Sequence, residues 1–176
     1  WIKVDKPFTY IPYPIYKPPI IQAPYHLLLI DFFLQVKELT EIEVDYSLNL
    51  HASNVYQEKN EKFCFQSRAE IKFFDGRRFA IECALGDESH SQFCKEFQVY
   101  KKYFDHLTEN SEELPDGLLF VLPDKIIDHG IKQVWINITT AFFKEMGPYH
   151  NRINLIMTTL SKVQETLQFE DERMQN

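Results

Sequence analysis

Apolar and polar positions alternate most clearly between Ser67 and Leu85. Two runs rich in Phe and Ile flank Asp75-Gly76, a strong turn signal between strands. A two-residue loop would set Phe74 against Arg77 and mix charged and apolar residues on both faces. A three-residue loop, Phe74-Asp75-Gly76 with Gly76 in the left-handed region, pairs Phe73 with Arg77 instead. One face then carries Ala69, Ile71, Phe73, Phe79, Ile81, Cys83 and Leu85, and the other Arg68, Glu70, Lys72, Arg78, Ala80, Glu82 and Ala84. A one-residue slip would reverse every side chain, so the register with a coherent apolar face is the expected one.

The rest of the chain divides by the same reading. Tyr25–Leu39 fits a mostly buried helix with polar breaks at Asp31, Gln35, Lys37 and Glu38. Ile42–Leu48 alternates as a strand, and His51–Glu61 reads as a polar loop. Ser89–His106 is an amphipathic helix with Phe93, Phe97, Tyr100 and Phe104 at helical spacing. The continuous apolar run Leu118–Leu122 suggests a buried, parallel strand. Pro123-Asp124 opens a helix over Lys125–Lys132, Val134–Ile138 reads as the next strand, and Thr140–Met146 as a short helix stopped by Gly147-Pro148. Asn151–Phe169 reads as a last long helix with Ile153, Ile156, Leu160, Val163 and Leu167 on one face. This order predicts an α/β fold, a mixed central β-sheet flanked by helices on both sides. Right-handed crossovers would place the 118–122 and 134–138 strands beside the hairpin, which gives a restriction-endonuclease-like skeleton.

Residues 1–24 hold Pro7, Pro12, Pro14, Pro18, Pro19 and Pro24 among tyrosines and isoleucines, and read as an extended arm or linker. Residues 25–170 form the α/β domain and 171–176 a polar tail. The chain has 176 residues, enough for one domain with a real core. Its net charge of −7 argues against a broadly basic nucleic-acid surface while leaving room for a local patch. Cys64, Cys83 and Cys94 have no metal-type spacing and read as free thiols of a reducing, cytoplasmic compartment. No apolar run reaches the roughly 18 residues of a membrane span, and Asp31 interrupts the longest, Leu27–Leu34. The chain opens at Trp1 without a signal peptide, so it reads as a fragment whose N-terminal partner domain is missing.

The chemistry concentrates on the polar face of the hairpin, where Arg68 is expected opposite Glu82 with Glu70 on the same side. A metal-dependent nuclease converges two carboxylates on Mg²⁺ or Mn²⁺ at such a place and usually adds a lysine two residues after the second. Here a cation holds the first carboxylate position and Ala84 the lysine position. An Arg68–Glu82 structural pair would neutralise the charge that a metal requires, so no catalytic residue and no metal are expected. If the site is active, Glu70 and Glu82 carry it. Asp87, Glu88 and His90 precede a helix and read as its N-terminal cap. His26, His51, His90, His106, His129 and His150 show no ligand spacing, and no neighbour in the sequence orients a Cys94–His pair. Lys72, Arg77 and Arg78 near the hairpin tip, with Lys95, Lys101 and Lys102 on the next helix, are the candidate DNA contacts.

An ordered set of motifs resembles the C-terminal domain of the replication-relaxation family of Gram-positive plasmids and mobile elements. They are His26-Leu27 with Asp31-Phe32, the acid-ending strand Arg78–Glu82, Tyr100-Lys101-Lys102-Tyr103, Leu118–Leu122, and Val134-Trp135-Ile136. The resemblance implies a nuclease-like domain behind an N-terminal winged helix that binds DNA. The chain departs from the family pattern at Ser67-Arg68, where Pro-Asp is usual, and at Ala84, where an acid is usual. Both departures fall on the metal face. The leading expectation is therefore a non-catalytic, nuclease-like domain of a DNA-binding regulator of plasmid or mobile-element replication, transfer or transcription, acting in oligomerisation or partner binding. The alternatives are an active Mg²⁺- or Mn²⁺-dependent DNA endonuclease, and a protein interaction module with no nucleic-acid role.

Overall fold

The computed structural model describes residues 23–37, 54–58, 61–65, 69–73, 76–125 and 130–172. In chain order the elements are α1 (Ala23–Lys37), β1 (Asn54–Glu58), β2 (Glu61–Phe65), β3 (Ala69–Lys72), β4 (Arg78–Cys83), α2 (His90–Glu109), β5 (Gly117–Leu122), α3 (Gly130–Glu145), β6 (Asn154–Thr159) and α4 (Val163–Glu172). Short 3₁₀ turns at Gly147–Asn151 and Leu160–Lys162 lead into β6 and α4. β3 to β6 form one mixed sheet in the order β3-β4-β5-β6, antiparallel at its first pair and parallel at the other two. β1 and β2 make a separate antiparallel hairpin.

The sheet is laid out by the register of β3 on β4. Ala69 pairs with Ile81 and Lys72 with Arg78, as the apolar face requires. The Phe73 N–H donates to the Arg77 carbonyl at 2.8 Å, and the Gly76 N–H to the Phe73 carbonyl at 2.9 Å. Gly76 takes φ +93°, a backbone conformation a Cβ would oppose. Ala69, Ile71, Phe73, Phe79, Ile81 and Cys83 then face α1 and α4 in one buried cluster. Ala80, Ala84, Leu118, Phe120 and Leu122 face α2 and α3 in the other. β5 is buried at all six positions because it meets helices on both sides, which explains its unbroken apolar run. Phe97 of α2 knits the second cluster, with ring centroids 5.7 Å from Phe120 and 5.5 Å from Phe142.

Three expected elements change identity. Residues 134–138 are helical, part of a continuous α3 that absorbs the Thr140–Met146 helix and begins at Gly130. Val134, Ile138, Ala141 and Phe142 recur one turn apart and are buried, whereas a five-residue apolar run by itself fits helix and strand equally. The third parallel strand is instead β6, inside the expected Asn151–Phe169 helix. Its pairing with β5, Gly117 opposite Asn154 through Leu122 opposite Thr159, overrides a helical spacing that survives only in α4. Within the expected polar loop of 51–61 lies β1, and β2 begins at its last residue; the charges at the turn mask the strand pattern there. The expected strand 42–48 lies outside the described residues, as do residues 1–22 of the arm and 173–176 of the tail. No helix among the described residues is long and apolar enough to cross a membrane.

Close packing in the sheet fixes one residue by size. A Cβ at Gly117 would sit 2.5 Å from Cε1 of Phe79 and 2.7 Å from the Asn154 carbonyl oxygen. Gly117→Ala is expected to cost about 1–3 kcal/mol of stability in a urea titration, the range for overpacked sites. At the opposite end of the strands, Asp124 Oδ1 accepts the Ser161 N–H at 2.9 Å and joins the exit of β5 to that of β6. Hydrogen bonds from Ser161 are the main reason its carboxyl lies below the ordinary aspartate range. A depressed native value stabilises above the unfolded value of about pH 3.9 and is lost as pH falls through the native one. Asp124→Ala should therefore reduce stability at neutral pH and flatten the acid limb of the stability profile.

Candidate functional site

β4 carries the one acid that is buried among the described residues. Glu82 is 4% exposed, on the face that β4 turns toward α2. A carboxylate there is costly unless its oxygens find donors, and the Tyr100 hydroxyl donates to Glu82 Oε1. The helix supplies this partner by periodicity: Phe93, Phe97, Tyr100, Phe104 and Leu107 form the buried stripe of α2. Ser89 starts that helix through a capping box with Gln92. Glu88, expected to assist the cap, accepts instead from the Leu85 N–H at 2.9 Å, the Gly86 N–H at 2.8 Å and the Tyr25 hydroxyl at 2.7 Å. It pins the β4–α2 loop to α1.

Glu70 stands on β3 opposite Ala80, one diagonal step from Glu82 and on the same face. Its Oε1 lies 3.8 Å from Nη1 of Arg78, in a pair that is about one-third exposed on each side. The two carboxylates of the expected active pair thus each engage a protein group, one a tyrosine and the other an arginine. Arg68, the expected structural partner of Glu82, lies outside the described residues. Among the described residues no group of three or more His, Cys, Asp or Glu side chains is arranged to hold a metal ion.

The six candidate DNA contacts divide into separate groups. Lys72 is exposed on β3 opposite Arg78, the first residue of β4, and Arg77 immediately precedes that strand. Arg77 lies over the Phe73 ring at 4.9 Å, and Arg78 Nη2 donates to the Glu113 carbonyl at 3.0 Å. Beside them opens a cleft of about 700 Å³ lined by Glu112, Glu113 and Asp116 together with Arg77, Arg78 and Arg152, and the Arg78 N–H donates to Asp116 Oδ2 at 2.7 Å. Sequence reasoning missed Arg152, which arrives only through the β5–β6 pairing. Lys95 and Lys102 are exposed on α2 seven residues apart, and so share a helical face. Lys101 points elsewhere: its Nζ is 2.8 Å from Asp105 Oδ2, and that hydrogen bond is the main cause of its raised pKa. Asp105 also accepts the Tyr149 hydroxyl at 2.8 Å. Among the described residues these cations are interleaved with acids.

Cys83 and Cys94 are free thiols. One turn of α2 brings the His90 ring to 3.7 Å from Cys94 Sγ, and the packing of α3 on α2 brings Lys144 Nζ to 3.9 Å, a neighbour that sequence order alone did not reveal. Burial, with a smaller contribution from Glu145, nevertheless pushes the Cys94 thiol up, so it is protonated at neutral pH and a poor nucleophile.

The buried Glu82–Tyr100 contact gives a direct test of how the sheet holds α2. Tyr100→Phe keeps the ring and removes one donor from a buried acceptor. It is expected to destabilise the protein by about 1–3 kcal/mol in chemical denaturation. Comparison with family models, with curated proteins and with solved structures finds no match to this chain.

Proposed function

We propose that this chain is a non-catalytic, nuclease-like domain related to the replication-relaxation family, serving a cytoplasmic DNA-binding regulator of a plasmid or mobile element. Its role in that reading is oligomerisation or partner binding, with DNA held mainly by an N-terminal winged-helix domain. The observation that carries the proposal is Glu82, buried at 4% exposure and bonded by Tyr100. An acid that would face Mg²⁺ or Mn²⁺ in an active nuclease serves here to join sheet and helix. Ala84 at the lysine position and the Glu70–Arg78 pair support the same conclusion. The order of α1, an antiparallel hairpin and a parallel strand after α2 agrees with a restriction-endonuclease-like fold.

The partner-binding part of the reading draws on apolar residues left in water. Leu27, Ile30 and Leu34 of α1 are 62%, 52% and 57% exposed and recur along one helical stripe. The same observation favours the second reading, a protein interaction module with no nucleic-acid role. Calorimetric titration of Mn²⁺ into the protein, with a plasmid-nicking assay on the same sample, tests the proposal. No heat of binding and an intact plasmid are expected. Nicking that disappears in both Glu70→Ala and Glu82→Ala would make the protein an enzyme and remove the proposal.

A further inference from the structure

Among the described residues the sheet ends at β6, in an edge without the usual protections. Among the described residues β6 pairs with β5 alone. The Asn154 N–H donates to the Asp116 carbonyl at 2.9 Å, which fixes the parity of the strand. Asn154, Ile156 and Thr158 therefore turn their backbone groups to β5, while Leu155 and Met157 turn theirs outward. These outward N–H and C=O groups meet no partner among the described residues. Free edges are normally blunted by lysine, proline, inward charge or a bulge. β6, Asn-Leu-Ile-Met-Thr-Thr, contains no charged residue and no proline, and its ladder to β5 runs unbroken over six pairs. Leu155, Ile156 and Met157 are half-buried and line the two faces beside the edge.

A row of backbone donors and acceptors specifies another extended backbone as its complement. A second copy of this edge fits poorly, because antiparallel self-pairing brings the Arg152 end of one copy to the Lys162 end of the other. Both side chains are exposed, so cation would approach cation. The same pair of charges suits a foreign strand with acids at its ends, although Arg152 lines a cleft that also holds Glu112, Glu113 and Asp116, and Asp124 binds the Ser161 N–H beside Lys162.

We propose that the outer edge of β6 docks an extended segment of a partner protein, alternately apolar and flanked by acidic residues, as a fifth strand of the sheet. This deepens the partner-binding part of the function proposed above and is independent of its metal and DNA parts. The test uses the whole chain and a fluorescein-labelled peptide of alternating valine and threonine with aspartate at both ends. Anisotropy should report binding, and amide exchange at Leu155 and Met157 should slow by about tenfold or more. A lysine-flanked peptide should bind more weakly, and Arg152→Glu combined with Lys162→Glu should reverse that preference. Met157→Pro removes an outward N–H and should abolish binding. Because a strand proline can also unfold the sheet, an N-methylated aspartate-flanked peptide on the unaltered protein provides the second arm, and it should not bind. Absence of protection at saturating peptide overturns the proposal, as does equal binding of the two flanked peptides. Protection that rises with protein concentration without peptide would identify a second copy as the occupant and overturn it too. Metal-dependent cleavage would sink the scaffold reading and leave this one intact, whereas failure here leaves the scaffold reading untouched.

Discussion

The pairing of β3 with β4 is the constraint from which the rest of the domain is built. Closure at Phe73 and Arg77 sends one parity of side chains toward α1 and α4 and the other toward α2 and α3. With both faces claimed, the next strand has to be apolar throughout, and β5 is. A slip of one residue would carry Ile71, Phe79 and Ile81 to the opposite layer and bring Glu70 and Lys72 under α1. The turn glycine makes that slip costly, because only its left-handed backbone closes the loop in the observed register.

Glu82 is the place where this register and the chemistry meet. It shares its face with Ala80 and Ala84, small residues over which α2 can pack closely. An acid among them is tolerable because Tyr100 reaches it from the helix. The same strand position that suits a metal ligand thus suits a buried tether. Around it lie Ala84, two places on, and the Glu70–Arg78 pair, in which Arg78 stands diagonal to Glu70 on the neighbouring strand.

Much of this was readable from local pattern, and the exceptions have a common cause. The hairpin register, the apolar stripe of α2 and the burial of β5 follow from alternation, helical spacing and a strong turn. A five-residue apolar run such as 134–138 fits helix and strand equally until its neighbours are known, and the helical spacing across 151–169 hides the strand at 154–159. β6 becomes a strand by completing β5, a contact across more than thirty residues of sequence that no local window contains. The candidate site shows the same limit. Glu82 and Glu70 were identifiable by position, but Tyr100 as a partner required the helix to be laid on the sheet. Arg152 reached the hairpin tip only through the parallel pairing of β6.

The carboxylate of Glu88 has a mechanical consequence. It grips the two backbone amides that follow β4 and, at the same time, the hydroxyl at the start of α1. The first turn of α1 is thus tied to the corner where β4 hands over to α2. A pull or twist on that end of the helix acts first on this knot. It passes from there along α2, which seats Tyr100 on Glu82, so the most deeply buried acid of the described fold lies on the line of force from the start of α1.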